Sequence, residues 1–361
     1  MSGSGTQRKA HTDWKGALKL LLAFQRHKTP GTFETVVFGQ TSVDVYQPPS
    51  TPAATVIFIP GLSIRGREDP RIRRLGWALS AGGLRVLIPD VPSIRALTIS
   101  TRQPDEVANL IRSLVQERSL VTTRRVALMS VSFSSIFVLR AALDPVLTDR
   151  ITAVGLIGGY YDIERVADFL ITSDQADPYG RLVIGRSYFA EFEPEHTNAI
   201  AALKAAVETV ATNNNEPIRL DALFDANDPL EQSLHQLMTT AGSRQAFLEK
   251  ILDVFDSAWA GYRVPAEFPQ STPPVFLLHG SHDPVIPTAE SRQLAHRLAR
   301  QGLAHHLCIS DLLEHGNTAI SFRRIVDVYR LVAGFAWFLG RAQTDGAKKK
   351  GAPGRPFLTE R

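Results

Sequence analysis

The chain has 361 residues, 44% of them hydrophobic and 21% charged, a globular composition with room for a large core and an inserted region. Its single cysteine, Cys308, excludes an internal disulfide framework. The formal charge of +4 excludes less, because residues 341–361 hold six basic side chains against Asp345 and Glu360, as large an excess as the whole chain carries. The basic character therefore belongs to a Gly/Pro/Lys tail, expected to be disordered, and no nucleic-acid partner is expected.

Residues 1–31 read as an N-terminal extension. Within it GALKLLLAF (16–24) is an apolar run broken by Lys19, too short to span a bilayer and followed by no small-residue cleavage site. It predicts an amphipathic helix packed on the body, no transmembrane segment and a cytoplasmic protein. TFETVVF (32–38) and SVDVY (42–46) alternate apolar and polar residues around Gly39 and Gln40, the pattern of an antiparallel hairpin. ATVIFIP (54–60) is a continuous apolar run, as in a strand buried on both faces. Asp69-Pro70 opens a helix that Gly82 and Gly83 close.

LRVLIPD (84–90), RVALMS (125–130) and ITAVGLIGG (151–159) repeat the buried-strand pattern. Val107, Leu110, Ile111, Leu114 and Val115 give a helix between the first two, and SSIFVLRAAL a helix after the second. The pattern resumes at PVFLLHG (274–280), followed by a helix over 288–302, the strand HHLCIS (305–310) and a long helix over 318–339 that ends at Gly340. Strands alternating with helices imply a mostly parallel sheet covered on both faces. The expected division is a core of 32–162 and 271–340, a helical lid insertion of 163–270, and the tail of 341–361.

Residues 125–140, RVALMSVSFSSIFVLR, concentrate four serines between two apolar runs. A nucleophile on a sharp strand-to-helix turn needs small residues two before and two after it, because the two backbones crowd there. Ser130 has Leu128 before it; Ser134 and Ser135 have Ile136 and Phe137 after them. Ser132, flanked by Ser130 and Ser134, alone satisfies the rule. Here the chain resembles the α/β-hydrolase superfamily over roughly residues 32–340, with S-V-S-F-S in place of G-x-S-x-G. GREDPRIRRLGWALSAGGLRVLIPDVPSIRAL and the IGGYYD turn look similar to bacterial α/β-hydrolases of uncharacterised function.

The resemblance implies the chain order Ser, acid, His. HGSHDPVIP closely resembles the superfamily's acid loop H-G-x-x-D-x-x-V-P, with Ile286 at the usual valine, and makes Asp283 the expected acid. Asp162, after the preceding strand, is the competitor, and Asp90 is expected to be structural. Four histidines follow Asp283. His296 falls inside a helix, His305 and His306 begin the last strand at the wrong edge, and His315, five residues past that strand's carboxyl end where it can reach the elbow, is the expected base. The expected oxyanion donors are the N–H of Phe133 and, from the resemblance of IPGLS to the superfamily's H-G-x turn, that of Leu62.

The implied activity is cleavage of a small-molecule carboxylic ester through an acyl-enzyme, with no metal or organic cofactor. Thioester, lactone, amide or carbon–carbon cleavage on the same triad stays open. So does a non-catalytic binding protein, because both elbow glycines are replaced. Phe169, Phe189, Phe192, Phe247 and Trp259 line a pocket or form the insertion's own core. Arg65, Arg67, Arg71, Arg73 and Arg74 attract an anionic substrate or form a solvated charged loop. The oligomeric state is not legible.

Overall fold

A computed structural model describes residues 12–192, 194–212, 223–225, 227–254, 258–313 and 322–344. Eight strands, β1 Thr32–Phe38, β2 Thr41–Gln47, β3 Ala54–Ile59, β4 Leu84–Pro89, β5 Val126–Val131, β6 Ile151–Ile157, β7 Val275–Gly280 and β8 His305–Ser310, form one sheet in the order β1-β2-β4-β3-β5-β6-β7-β8. The hairpin β1–β2 and the β2–β4 pair are antiparallel, and every other neighbouring pair is parallel.

The continuous apolar runs have a direct structural cause. Successive side chains of a strand leave opposite faces, so Ile57 and Ile59 of β3 enter one core while Val56 and Phe58 enter the other. Two helical layers cover these faces. On one side lie α1 (Trp14–Gln25), α2 (Pro70–Ala81) and the last helix. Helices α3 (Pro92–Arg95), α4 (Gln103–Gln116), α5 (Ser135–Ala142), α6 (Ile163–Thr172), α7 (Pro178–Phe192), α8 (Thr197–Thr212), α9 (Pro229–Thr239), α10 (Ala241–Val254) and α11 (Thr288–Arg300) contribute to the other. Helices α6 to α10 occupy the connection between β6 and β7.

Helix starts follow local chemistry. Asp13 caps α1 by accepting from the Gly16 N–H at 2.8 Å. Asp69 caps α2 by accepting from the Arg71 N–H at 2.9 Å, with Pro70 in the first turn where its missing donor costs nothing. Gly83, at φ +94°, carries the chain out of α2 into β4.

The last helix, α12, is described over Phe322–Gln343, so it passes through Gly340 instead of ending there. Ala342 is fully buried and its carbonyl accepts from the Thr152 hydroxyl at 3.0 Å. That buried hydrogen bond (about 1 kcal/mol) and the buried methyl (about 0.8 kcal/mol) offset the roughly 1 kcal/mol that glycine costs in a helix. Arg341, counted with the tail, is thereby part of α12, its guanidinium 5.1 Å from the Trp337 ring centre. The expected start at 318 lies outside the described residues.

In the arginine-rich segment before and within α2, Arg67, Arg71 and Arg74 have protein partners, while Arg71 and Arg73 stay exposed. Arg67 bonds Asp44 at 2.5 Å, and Asp44 is completely buried on β2. Arg74 donates to the Phe24 carbonyl and stands 4.1 Å over the Phe24 ring. Arg71 grips Asp69 with two nitrogens, at 3.0 and 2.7 Å.

Candidate active site

β5 ends at the serine cluster, and the backbone there turns sharply. Ser132 has φ +57°, a left-handed conformation rare for a residue with a Cβ. The chain then makes a short 3-10 turn, Ser132–Ser134, and enters α5. Strain of this kind costs roughly 1–3 kcal/mol and persists only where the surroundings enforce it.

The surroundings are identifiable. The Ser134 hydroxyl, fully buried, donates to the Pro60 carbonyl at 2.6 Å and ties the elbow to the loop after β3. In that loop a Cβ on Gly61 would lie 3.1 Å from the Val131 carbonyl oxygen and 3.4 Å from the Ser132 Cβ. On the other flank a Cβ on Gly159 would lie 2.8 Å from the Ser135 Cβ. The room that glycines normally provide inside the elbow is here provided by Gly61 and Gly159 across from it. Below, the Phe133 ring packs against Tyr262 and Phe137, with centroids 5.2 and 5.8 Å away. The Tyr262 hydroxyl in turn donates to the Ser100 carbonyl at 2.6 Å.

Asp283 follows β7. Its Oδ1 accepts from the N–H groups of Val285 and Ile286 at 2.8 and 3.0 Å, which closes the turn, while Oδ2, 3.6 Å from the His279 Nε2, accepts no hydrogen bond among the described residues. Oδ2 points towards Gly158, at the end of β6, where a Cβ would stand 3.3 Å away. Gly158 has φ +60°. Gly158→Ala is therefore expected to destabilise the fold by about 1–2 kcal/mol and also to slow turnover through the displaced carboxylate. Thermal unfolding and steady-state kinetics would measure the two effects separately.

Behind the acid loop, His279 is completely buried. Its Nε2 donates to the Ile286 carbonyl at 2.8 Å, which fixes the tautomer, and its Nδ1 accepts from the Ser291 hydroxyl at 2.7 Å. Burial holds the imidazole below its ordinary 6.5, so the native ring is neutral. The unfolded chain takes up a proton near that pH which the native ring refuses. The contribution of His279 to stability is thus complete above pH 6.5 and declines as the pH falls below it. His279→Asn is expected to flatten the fall of melting temperature across roughly pH 7 to 5. His306, also lowered by burial, acts in the same direction and remains in the variant as background.

Ser132, Phe133, Leu62 and Asp283 line one cavity of about 900 Å³. Among the described residues, neither the Leu62 nor the Phe133 N–H donates to another protein group. His315 lies outside the described residues. His282, the exposed neighbour of Asp283, also lines the cavity.

Asp162 does not belong to this constellation. Its carboxylate caps α6 by accepting from the Glu164 and Arg165 N–H groups at 3.0 and 3.2 Å. Asp90 pairs with Arg95 at 3.1 Å, a structural contact as expected. Of the five insertion aromatics, Trp259 lines the cavity; Phe247 is buried in the core, and Phe169, Phe189 and Phe192, half-buried, pack against it. Ile163, Val166, Leu170, Val183 and Ile184 add aliphatic side chains to the insertion's wall, and Tyr179 a second aromatic ring. At one end Ser63, Asp69 and Arg71 add a polar rim. Burial pushes the Asp69 carboxyl up, but the bonds from the Arg71 side chain and backbone outweigh it and hold the group ionised.

Sequence reasoning missed Glu290. This buried carboxylate accepts from the N–H groups of Tyr161 and Asp162 at 3.0 and 2.7 Å and pairs with Arg165 at 3.0 Å, which pins the turn after β6 beside the acid loop. No local motif marks it, since its partners lie more than 120 positions away.

An eight-stranded, mostly parallel sheet with one antiparallel hairpin at its edge, helices on both faces and a strained serine elbow after β5 define the α/β-hydrolase fold. The chain is an α/β-hydrolase in architecture. No family model matches the chain, and no curated protein matches it in sequence. Among solved structures, a puromycin-hydrolyzing peptidase of Mycobacterium tuberculosis is similar over 87% of this chain and 39% of its own, at 16% identity and a TM-score of 0.48. The acylaminoacyl peptidase of Pyrococcus horikoshii is similar over 86% and 41%, at 13% identity and 0.43. Brefeldin A esterase, a bacterial homologue of human hormone sensitive lipase, is similar over 94% and 90%, at 14% identity and 0.43. This chain thus spans about two fifths of the two peptidases. At such identities and scores the fold assignment stands on the strand order and the elbow of the chain itself.

Proposed function

We propose that the chain is a serine hydrolase that cleaves a carboxylic ester through an acyl-enzyme. The observation that carries this reading is Ser132, held at φ +57° on the wall of the cavity that Asp283, Leu62 and Phe133 also line. A serine hydroxyl attacks only when a histidine takes its proton and a carboxylate orients that histidine.

In this mechanism the Ser132 Oγ attacks the ester carbonyl carbon while its proton passes to His315. The tetrahedral oxyanion is held by the N–H groups of Phe133 and Leu62. Collapse breaks the bond to the alcohol oxygen, which receives the proton from His315, and the acyl group stays on Ser132. A water, deprotonated by the same imidazole, then attacks the acyl-enzyme; the acid is released as the bond to the Ser132 Oγ breaks, and that oxygen takes the proton back from the imidazolium. Asp283, through Oδ2, keeps the ring oriented and balances its transient charge. His315 is assigned by its place in the chain, five residues past the end of β8. The aliphatic walls favour an apolar acyl or alcohol group.

Labelling with a fluorophosphonate, followed by peptide mapping, tests this directly. Modification is expected on Ser132. A folded chain that takes no label is a binding protein on this scaffold, and label that survives Ser132→Ala removes Ser132 from the mechanism. A panel of esters, thioesters and lactones of graded chain length then separates the bond types, which the fold alone does not decide.

A further inference from the structure

The outer faces of α1 and α12 carry six of the ten exposed large apolar side chains among the described residues. On α1 they are Trp14, Leu18 and Leu22, four residues apart and therefore on one stripe; on α12 they are Ile325, Val328 and Tyr329, also on one face. Each is between 41% and 62% exposed. The Trp14 and Tyr329 rings stack with centroids 5.8 Å apart, so the two stripes meet. Scattered single apolar residues need no explanation, but a contiguous patch of this kind marks a contact surface.

Along α1 the charge around the patch is one-sided, and on α12 the described carboxylate, Asp327, is buried and paired with Arg330 at 3.3 Å. Lys15, Lys19, Arg26 and Lys28 are exposed along α1 and the turn after it. The one carboxylate of that stretch, Asp13, is occupied in capping α1 and in accepting from the Gln343 amide at 3.1 Å. A helix with an apolar stripe, a large aromatic and flanking lysines fits the interfacial layer of a bilayer, the more so if its headgroups are anionic.

Other occupants fit less well. A second copy, paired face to face, would set Lys15 and Lys19 against their own counterparts. Residues 1–11 hold Arg8 and Lys9 and no carboxylate, and residues 345–361 hold five basic side chains against two acidic ones, so both termini share the sign of the patch. Among the described residues no helix is long and apolar enough to cross a membrane, which leaves binding in the plane of the surface.

We infer that the α1–α12 face docks the protein on an anionic lipid surface. Leu20, Leu21 and Phe24 of α1, with Leu331 and Phe335 of α12, also line the cavity that contains Ser132. The docked helices are thus part of the wall of the candidate active site.

The test is sedimentation of the full chain with vesicles of phosphatidylcholine alone and with phosphatidylglycerol mixed in. Wild type is expected to bind the mixed vesicles, and to release them as salt is raised. Lys15→Glu with Lys19→Glu is expected to weaken binding roughly thirtyfold, and Leu18→Ser with Leu22→Ser about tenfold. Both pairs are exposed, so the melting temperature is expected to stay put; if the leucine pair misfolds, the lysine pair still decides. No binding to the mixed vesicles, equal binding to both kinds, or wild-type binding by the lysine variant overturns the inference. So does a dimer in light scattering that the leucine variant dissolves, which would give the face to a second copy. Binding is read without turnover, so its outcome is independent of the hydrolase reading.

Discussion

Ser132→Ala is expected to lower ester turnover by at least about a thousandfold, because the oxyanion donors and the cavity survive but the attacking oxygen does not. The substitution removes one atom that makes no hydrogen bond among the described residues, so thermal stability is expected to change little. Ser132→Gly provides the sharper diagnostic. It abolishes turnover equally, yet glycine accepts φ +57° without penalty, so the variant is expected to be about 1 kcal/mol more stable than wild type. A protein that gains stability while losing activity at one position keeps its strain there for a functional reason. Initial rates on a water-soluble ester, with melting curves of both variants, measure the two halves. Near-normal turnover in either variant would dismiss Ser132.

Much of this architecture was written locally. The hairpin, the apolar runs of β3 to β8 and the Asp69-Pro70 helix start each follow from a few adjacent residues, and the structure shows them with boundaries shifted by one or two positions. Ser132 was also local, since the small-neighbour rule spans only five residues. What makes S-V-S-F-S workable was not. The Ser134 bond to the Pro60 carbonyl joins positions 74 apart, and the vacancies at Gly61 and Gly159 face the elbow from two other loops. A single sequence carries no mark of such cross-loop compensation.

The cavity walls illustrate the same limit. The insertion's aromatics stood out by type, but its helices pack on more than one side, and period alone does not say which apolar face meets the cavity. The structure puts Ile163, Val166, Leu170, Val183 and Ile184 on that face, with Tyr179 and Trp259 as its aromatics. The arginine-rich stretch misled in part, for a related reason. The partners of Arg67 and Arg74 lie in earlier elements, so their pairing was invisible, while Arg71 and Arg73 are exposed as a solvated stretch would have them. The α12 boundary failed because a buried bond to Thr152 outweighed a glycine signal.

The assignment of the base is the step most open to direct trial, because two histidines compete for it. His315 has the chain position after β8; His282 lines the cavity. His282 immediately precedes Asp283, whose Oδ1 is already committed to the Val285 and Ile286 N–H groups in a tight turn. A base must swing between nucleophile and leaving group while its other nitrogen stays on the carboxylate, and a residue adjacent in sequence to that carboxylate is poorly placed to do so. His315→Ala is therefore expected to reduce kcat by about a thousandfold, whereas His282→Ala stays within about threefold of wild type. Asp283→Asn keeps an oxygen for the turn but removes the charge proposed to orient the imidazole, and about a ten-thousandfold loss is expected. In the wild type, kcat/KM should fall on the acid side as the base gains a proton. Measured side by side, the three variants allow one clear reversal. If His282→Ala is inactive and His315→Ala turns over normally, proton transfer belongs to the acid loop and the chain order Ser, Asp, His does not apply to this site.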